Sequence, residues 1–291
     1  MRLLTDPWQY QFFTKGLYAA TVAGALAGLV GVFVVLRGMS YIGHGLSHAV
    51  FGGAVAGYVL GVNFYVAAGV WGAVAAVLIN RVAARRKIGA DAAIGIVTTA
   101  SFALGVALIS KVANFTRNFE AALFGNVLAV QGLDLLVLTG AALLTGAVVF
   151  LRYRQLLFAT FDPEVAQVHG VPLRRMELLF SLVLAVSVIA TLQILGATLI
   201  AATIVIPAIV ARLLTDSFPR MLGLATATGA LTGLVGMYVS YYADVASGAT
   251  IVLTGSALFL VVYTVQQARG RVVGRLGRAV VPTPTGGAAA P

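Results

Sequence analysis

Apolar residues fall along this chain in long, almost uninterrupted runs, separated by short polar and basic stretches. Nine runs stand out, at roughly 17–36, 45–61, 64–80, 91–110, 132–151, 177–195, 198–211, 221–240 and 249–267. An uncharged stretch of about 20 residues is long enough, as a helix, to cross the ~30 Å hydrocarbon layer of a bilayer. The runs at 45–61 and 198–211 are short enough to be partial or re-entrant helices. The pattern therefore predicts an all-α, polytopic transmembrane helical bundle of eight or nine spans.

Composition strengthens that reading. Of 291 residues, 60% are hydrophobic and 10% charged, where soluble domains carry roughly 25% charged residues. Mean hydropathy is +0.99. The absence of cysteine excludes disulfides and thiolate metal ligands. The first twelve residues include Asp6, Pro7, Trp8 and Tyr10, unlike the apolar stretch of a cleavable signal. Residues 7–15, PWQYQFFTK, read as an interfacial segment with aromatics at headgroup level.

The net charge of +10 would suggest nucleic acid in a soluble protein. Here the basic residues lie between the apolar runs and set orientation instead. With Arg37 at the cytoplasmic end of the first span, inside loops collect fifteen of the nineteen Lys and Arg, leaving Arg2, Lys15, Lys111 and Arg117 outside. The positive-inside rule favours this arrangement, with a cytoplasmic C-terminus and a multi-pass location in the cell membrane. Residues 1–268 form the transmembrane domain. Residues 269–291 form a tail, first basic and then low-complexity, that is expected to be disordered at its end.

The longest cytoplasmic loop is 152–176, RYRQLLFATFDPEVAQVHGVPLRRM. Asp162-Pro163-Glu164 reads as a helix start: a capping side chain, proline at the first helical position, then an acid in the first turn. Gly170 and Pro172 read as its end. A short helix presented to the cytoplasm between two spans calls for a partner surface.

Candidate chemistry centres on His44 and His48, in GHGLSH. Four residues apart, they share one face of a helix inside a span, where ionisable residues usually face a bundle interior or a water-filled path. Two imidazoles so placed can bind a borderline metal such as zinc. They can also serve as interhelical hydrogen-bonding groups. A second copy related by a two-fold axis would bring four imidazoles together. Among the remaining polar residues, His169 reads as a loop histidine, Asp91 as a helix N-cap, and Glu120 and Asp244 as external loop acids. Asp134 and Glu177 read as span-end acids that snorkel. Gln193 reads as a helix-to-helix hydrogen-bonding group or, second, a path-lining residue. Pro207 marks a candidate broken helix.

No G-x-x-x-x-G-K-[ST], G-x-S-x-G or H-E-x-x-H occurs, position 45 being glycine, so enzyme activity is not expected.

Several blocks together resemble the membrane permease subunits of ABC importers for zinc, manganese and iron. They are residues 31–61, GVFVVLRGMSYIGHGLSHAVFGGAVAGYVLG; DAAIGIVTTASFALGVALIS (91–110); LFGNVLAV (123–130); FDPEVAQVHGV (161–171); ATLIAATIVIPAIVARLL (197–214); and SYYADVASGATIVL (240–253). The similarity runs in order over about residues 10–268. It implies a two-fold permease pair working with cytoplasmic ABC ATPase subunits and an extracytoplasmic metal-binding protein. Residues 161–171 would be the coupling helix that docks on the ATPase, with Phe161, Asp162, Pro163, Glu164, His169 and Gly170 at the contact. His44 and His48 would line the metal path, with no permanently bound cofactor. The family's usual pattern, G-D-x-L-S-H, has aspartate where this chain has His44. Imidazole in place of a hard oxygen shifts the expectation toward zinc, with manganese second. An ion-coupled secondary transporter using the histidines as a relay predicts uptake without ATP and needs more buried acids than the chain offers. An intramembrane metalloenzyme lacks a general base beside the histidines.

Overall fold

The structure, a computed structural model, describes residues 6–83, 89–111 and 124–280, with side chains described to Arg269. Every apolar run becomes a helix. In chain order the helices are α1 (Gln11–Leu36), α2 (Ile42–Val59), α3 (Phe64–Ala83), α4 (Ala90–Lys111), α5 (Gly132–Leu151), α6 (Tyr153–Phe161), α7 (Pro163–Val168), α8 (Leu173–Leu195), α9 (Ile200–Leu214), α10 (Phe218–Ala243) and α11 (Ser247–Val280). Single 3-10 turns cover Asp6–Gln9 and Val127–Ala129. No strand occurs among the described residues.

Among the described residues, seven helices are long and apolar enough to cross a membrane: α1, α3, α4, α5, α8, α10 and the first 23 residues of α11. The expected eight or nine spans are thus reduced to seven that qualify by length and hydropathy. The shortfall lies in the two short runs. α9 has 15 residues, about 22 Å of helix at 1.5 Å per residue and less than the ~30 Å core. α2 has 18 residues, but two histidines and several glycines dilute its apolar character.

α1 and α8 form the centre of the bundle: 67% and 72% of their most apolar stretches are buried, against 22–44% for the other qualifying helices. α1 packs on α10 backbone to backbone. A Cβ added at Gly24 would lie 2.1 Å from the Gly229 carbonyl oxygen, and one at Gly229 would lie 2.0 Å from that of Gly24. Only hydrogen fits there. Lipid tails supply no hydrophobic drive for two helices to associate, so close contact of small residues supplies dispersion instead.

The basic ends gather at one face of the bundle. At the end of α1, Arg37 Nε donates to Thr160 Oγ1 of α6. Phe161, at the end of α6, packs edge-on against Phe218 at the start of α10. Phe218 also receives Phe33 of α1 and Tyr153 of α6. Gln266 of α11 donates to the Leu213 carbonyl at the end of α9. Asn80, beside Arg81 in α3, donates to Ser181 of α8. At the opposite face Trp8 Nε1 donates to Tyr238 Oη, and Phe13 packs edge-on against Tyr238 and Tyr241. The charge pattern and the packing therefore sort the helix ends into the same two groups. The basic loop 84–88, Arg117, Glu120 and the tail's last residues, 281–291, lie outside the described residues.

Candidate functional site

His44 and His48 sit on the first two turns of α2, their ring centroids 4.5 Å apart and their planes at 76°. Tyr41 flanks His44 at 5.5 Å and Phe102 of α4 flanks His48 at 5.0 Å. Both histidines are half-buried. The Nδ1 of His48 is buried without a hydrogen-bond partner in the protein, as is Thr98 Oγ1 on the facing turn of α4. A buried polar atom left unpaired costs about 1–3 kcal/mol, and native proteins keep few of them. Both atoms are thus without a protein partner, one on α2 and one on α4. Among the described residues no group of three or more His, Cys, Asp or Glu gathers to hold a metal. One chain by itself therefore presents a pair of imidazoles rather than a closed cage.

Ser47 fixes the pair from behind. It is fully buried, and its hydroxyl lies 2.8 Å from the carbonyl oxygens of both His44 and Ala197. Ala197 belongs to the break between α8 and α9, where Gly196 takes φ +78°. The chain is thus broken beside the histidines, but not where proline suggested: α9 runs unbroken through Pro207, and residues 196–199 make the break.

Down the same face of α2, at helical spacing from His48, come Phe51, Val55 and Tyr58. Phe51, Val55 and Tyr58 line an open cavity of about 510 Å³ together with Asn63, Tyr65, Asn126, Gln131, Asp134 and Gln193, among others. The cavity lies at the bundle's non-basic end, where α2 ends and α3 and α5 begin. Between it and His48 stand Phe51, 2% exposed, and Phe102, with ring centroids 5.6 Å apart. Gln193 lines this cavity.

Asp134 corrects a sequence expectation. It does not snorkel: it is buried, accepting a hydrogen bond from Tyr65 Oη and another from the Gln131 backbone N–H at 2.8 Å. The second bond satisfies a donor at the start of α5, where a carboxylate also faces the positive helix end. Q-x-x-D before an apolar run carried that signal. Asp91 lies one residue inside α4 rather than capping it; there it still faces the positive end of the helix. Asp244 ends α10 at φ 53°.

The 161–170 segment folds as its sequence predicts. Asp162 accepts a hydrogen bond from Val165 N–H at 2.9 Å, Pro163 occupies the first turn of α7 with Glu164, His169 caps its end, and Gly170 takes φ +77°. His169 Nδ1 lies 2.9 Å from the Val165 carbonyl oxygen, and its ring stacks parallel to Phe158. Phe161, Asp162, Pro163, Glu164, His169 and Gly170 are all exposed, and Val168 is 86% exposed. Val168 and Phe161 thus expose apolar side chains at the basic end, beside a short capped helix.

A family model described as "ABC 3 transport family" matches residues 9–266. The chain belongs to the ABC 3 transport family. Within that family, it is 40% identical over 254 residues to "Manganese transport system membrane protein MntC" of Halalkalibacterium halodurans, covering 87% of each chain. It is 33% identical to "Chelated iron transport system membrane protein YfeC" of Yersinia pestis, covering 89% of this chain and 88% of that one. Relatives from Listeria, Streptococcus and Synechocystis carry manganese names as well. Among solved structures, the fold is similar to PsaBC from Streptococcus pneumoniae in complex with Fab, with a TM-score of 0.82, 34% identity, and coverage of 90% of this chain and 94% of that chain. Membership of the ABC 3 family and seven apolar helices make this a multi-pass membrane permease.

Proposed function

We propose that the chain is the permease subunit of an ATP-driven importer of divalent metal ions, with manganese as the cargo. Two copies of the chain, a pair of cytoplasmic ATPases and an extracytoplasmic metal-binding protein would make the working assembly. The observation that carries the reading is the similarity to a manganese transport membrane protein, at 40% identity over 87% of both chains.

His44 by itself pointed to zinc. The relatives' names support manganese instead, and the chemistry is compatible. Manganese stands lowest in the usual affinity order for nitrogen ligands, so two imidazoles hold it briefly. A transport site needs that weakness, because a tight cage would trap the ion. The ion would reach the polar cavity first, pass the Phe51–Phe102 seal, and meet the His48 and His44 rings. Residues 161–170 would receive the ATPase. ATP-driven rearrangement would then bias the bundle between outward- and inward-open states, the permease supplying the two-state element.

Proteoliposomes holding the complete importer test this. ATP-dependent accumulation of radioactive manganese, competed only weakly by equimolar zinc, is the expected result. Accumulation of zinc without manganese would reject the cargo. Uptake that proceeds undiminished without ATP would reject the importer class in favour of secondary transport.

A further inference from the structure

Arg37 is a cation that the path and the docking surface leave without a task; its side chain contacts α6, and its backbone leads into α2. It caps the end of α1. Its Nε donates to Thr160 Oγ1 at 3.1 Å, and its guanidinium carbon lies 4.3 Å over the Phe180 ring of α8. Glu177, one turn earlier on α8, acts on it through charge, and burial lowers its pKa to about 10, so it stays protonated at neutral pH. Its Nη2 is buried without a hydrogen-bond partner.

The positions of these contacts in the chain matter. Thr160 immediately precedes Phe161 and Asp162, the residue that caps α7. On the other side, Gly38 takes φ +66°, Met39 N–H returns to the Val34 carbonyl, and Ile42 N–H bonds the Met39 carbonyl. α2 therefore starts five residues after Arg37 through a tightly bonded turn, and His44 is on its first turn. Arg37 thus holds the base of the exposed α7 elbow by its guanidinium and leads, through five residues of backbone, into the histidine helix.

We propose that Arg37 is the positioning residue through which movement of the α6–α7 elbow reaches α2 and the histidine pair. A guanidinium carries five N–H donors in a rigid fork. Here one holds Thr160 while the Nη2 donors are unused by the protein, with the Glu177 carboxylate nearby as an alternative acceptor. Displacing α6 breaks one bond and frees the fork to turn to Glu177. That gives two discrete arrangements, as transmission between packed elements requires. A lysine ammonium, compact and without a planar face, cannot hold the ring and the hydroxyl in the same way.

The proposal rests on the reading of 161–170 as the ATPase contact, and its test separates the two. Manganese uptake and ATP hydrolysis are measured on the same proteoliposomes of the complete importer, with wild type, Arg37→Met, Arg37→Lys and Thr160→Val. The expected result is assembled complexes that hydrolyse ATP at near wild-type rates. Uptake per ATP falls about tenfold in Arg37→Met and Thr160→Val, the scale of one lost charge-assisted hydrogen bond, and less in Arg37→Lys. A residue that only braced the fold would lower uptake and hydrolysis in proportion, and that result would overturn the proposal. Should Arg37→Met not fold, Thr160→Val, which keeps the side-chain shape, decides alone. A wild type that neither hydrolyses ATP nor takes up metal rejects the importer reading and this proposal with it. A working wild type with an unchanged ratio in Thr160→Val rejects this proposal alone.

Discussion

The rings of His44 and His48 stand 4.5 Å apart, nearly perpendicular, on successive turns of α2, and His48 keeps a buried nitrogen that no protein group satisfies. The two side chains therefore carry different duties. His48 has a buried ring nitrogen without a protein partner, and His44 lies one turn nearer the basic end. Replacing His48 by Ala is expected to abolish manganese uptake while leaving the complex assembled. Replacing His44 by Asp adds a hard oxygen, which favours manganese over zinc. Uptake of manganese should persist in that variant, and the zinc concentration needed to halve it should rise several-fold. Uptake that responds to neither substitution would remove the pair from the path.

Phe51 and Phe102 separate the polar cavity from His48. Truncating Phe51 to Ala removes a fully buried ring. That costs about 3–5 kcal/mol in a tight core, less where a cavity already borders the site. The functional consequence is the sharper one: a water-sized opening beside the histidines. Vesicles carrying Phe51→Ala should leak manganese down its gradient without ATP, and metal efflux from preloaded vesicles measures this directly. A tight Phe51→Ala permease would place the barrier elsewhere.

The α7 elbow makes a different demand, since its stability and its contact surface can be altered separately. Asp162→Ala removes the cap of α7, worth about 1 kcal/mol, and loosens the helix where it stands. Val168→Asp leaves the cap intact and places charge on a side chain that is 86% exposed, so the fold should tolerate it. If this surface receives the ATPase, Val168→Asp should weaken co-purification of the ATPase at least as much as Asp162→Ala does. Thermal stability of the isolated permease, followed by its loss from detergent solution on heating, should separate the two, with only Asp162→Ala shifted downward.

Much of this was legible in the sequence because the physics was local. Apolar run length gave all nine large helices, since hydrocarbon thickness fixes how long a span must be, but not where the first begins or the last ends: α1 starts at Gln11 rather than 17, and α11 runs to Val280 rather than 267. Asp162, Pro163 and Gly170 foretold the short α7, because capping and left-handed backbone depend on single residues. What the sequence left out depended on partners far along the chain. Asp134 reads as a snorkelling acid until Tyr65, 69 residues earlier, is brought beside it. Pro207 reads as a candidate broken helix because proline disrupts helices, yet α9 runs through it, as a neighbour-supported helix can; the break, between the runs ending at 195 and beginning at 198, follows Gly196, where Ser47 reaches Ala197 from 150 residues away. His44 alone suggests zinc where the relatives' names carry manganese, since ligand softness orders affinities without fixing which ion a transport site releases.

Asp134 also supplies a test of how the outer cavity is held open. It joins the starts of α3 and α5, accepting from Tyr65 on one helix and from the Gln131 backbone on the other. Tyr65→Phe deletes one donor and leaves the carboxylate its backbone bond, so it should cost on the order of 1 kcal/mol. Asp134→Ala removes the acceptor of both the tyrosine hydroxyl and a helix-start N–H, and should cost about 1–3 kcal/mol. Because each mutation removes the same side-chain bond, the double mutant should be less destabilised than the sum of the two, with an interaction term between 0.5 and 3 kcal/mol, roughly. Asp134→Asn keeps one acceptor for the Gln131 N–H and can donate its amide N–H to the Tyr65 oxygen, so it should recover most of the loss. The same four variants read on uptake separate support from ligation: a carboxylate that only holds the cavity walls is replaceable by Asn, whereas one that binds the arriving cation is not, and Asp134→Asn would then raise the manganese concentration for half-maximal uptake while stability stays near wild type.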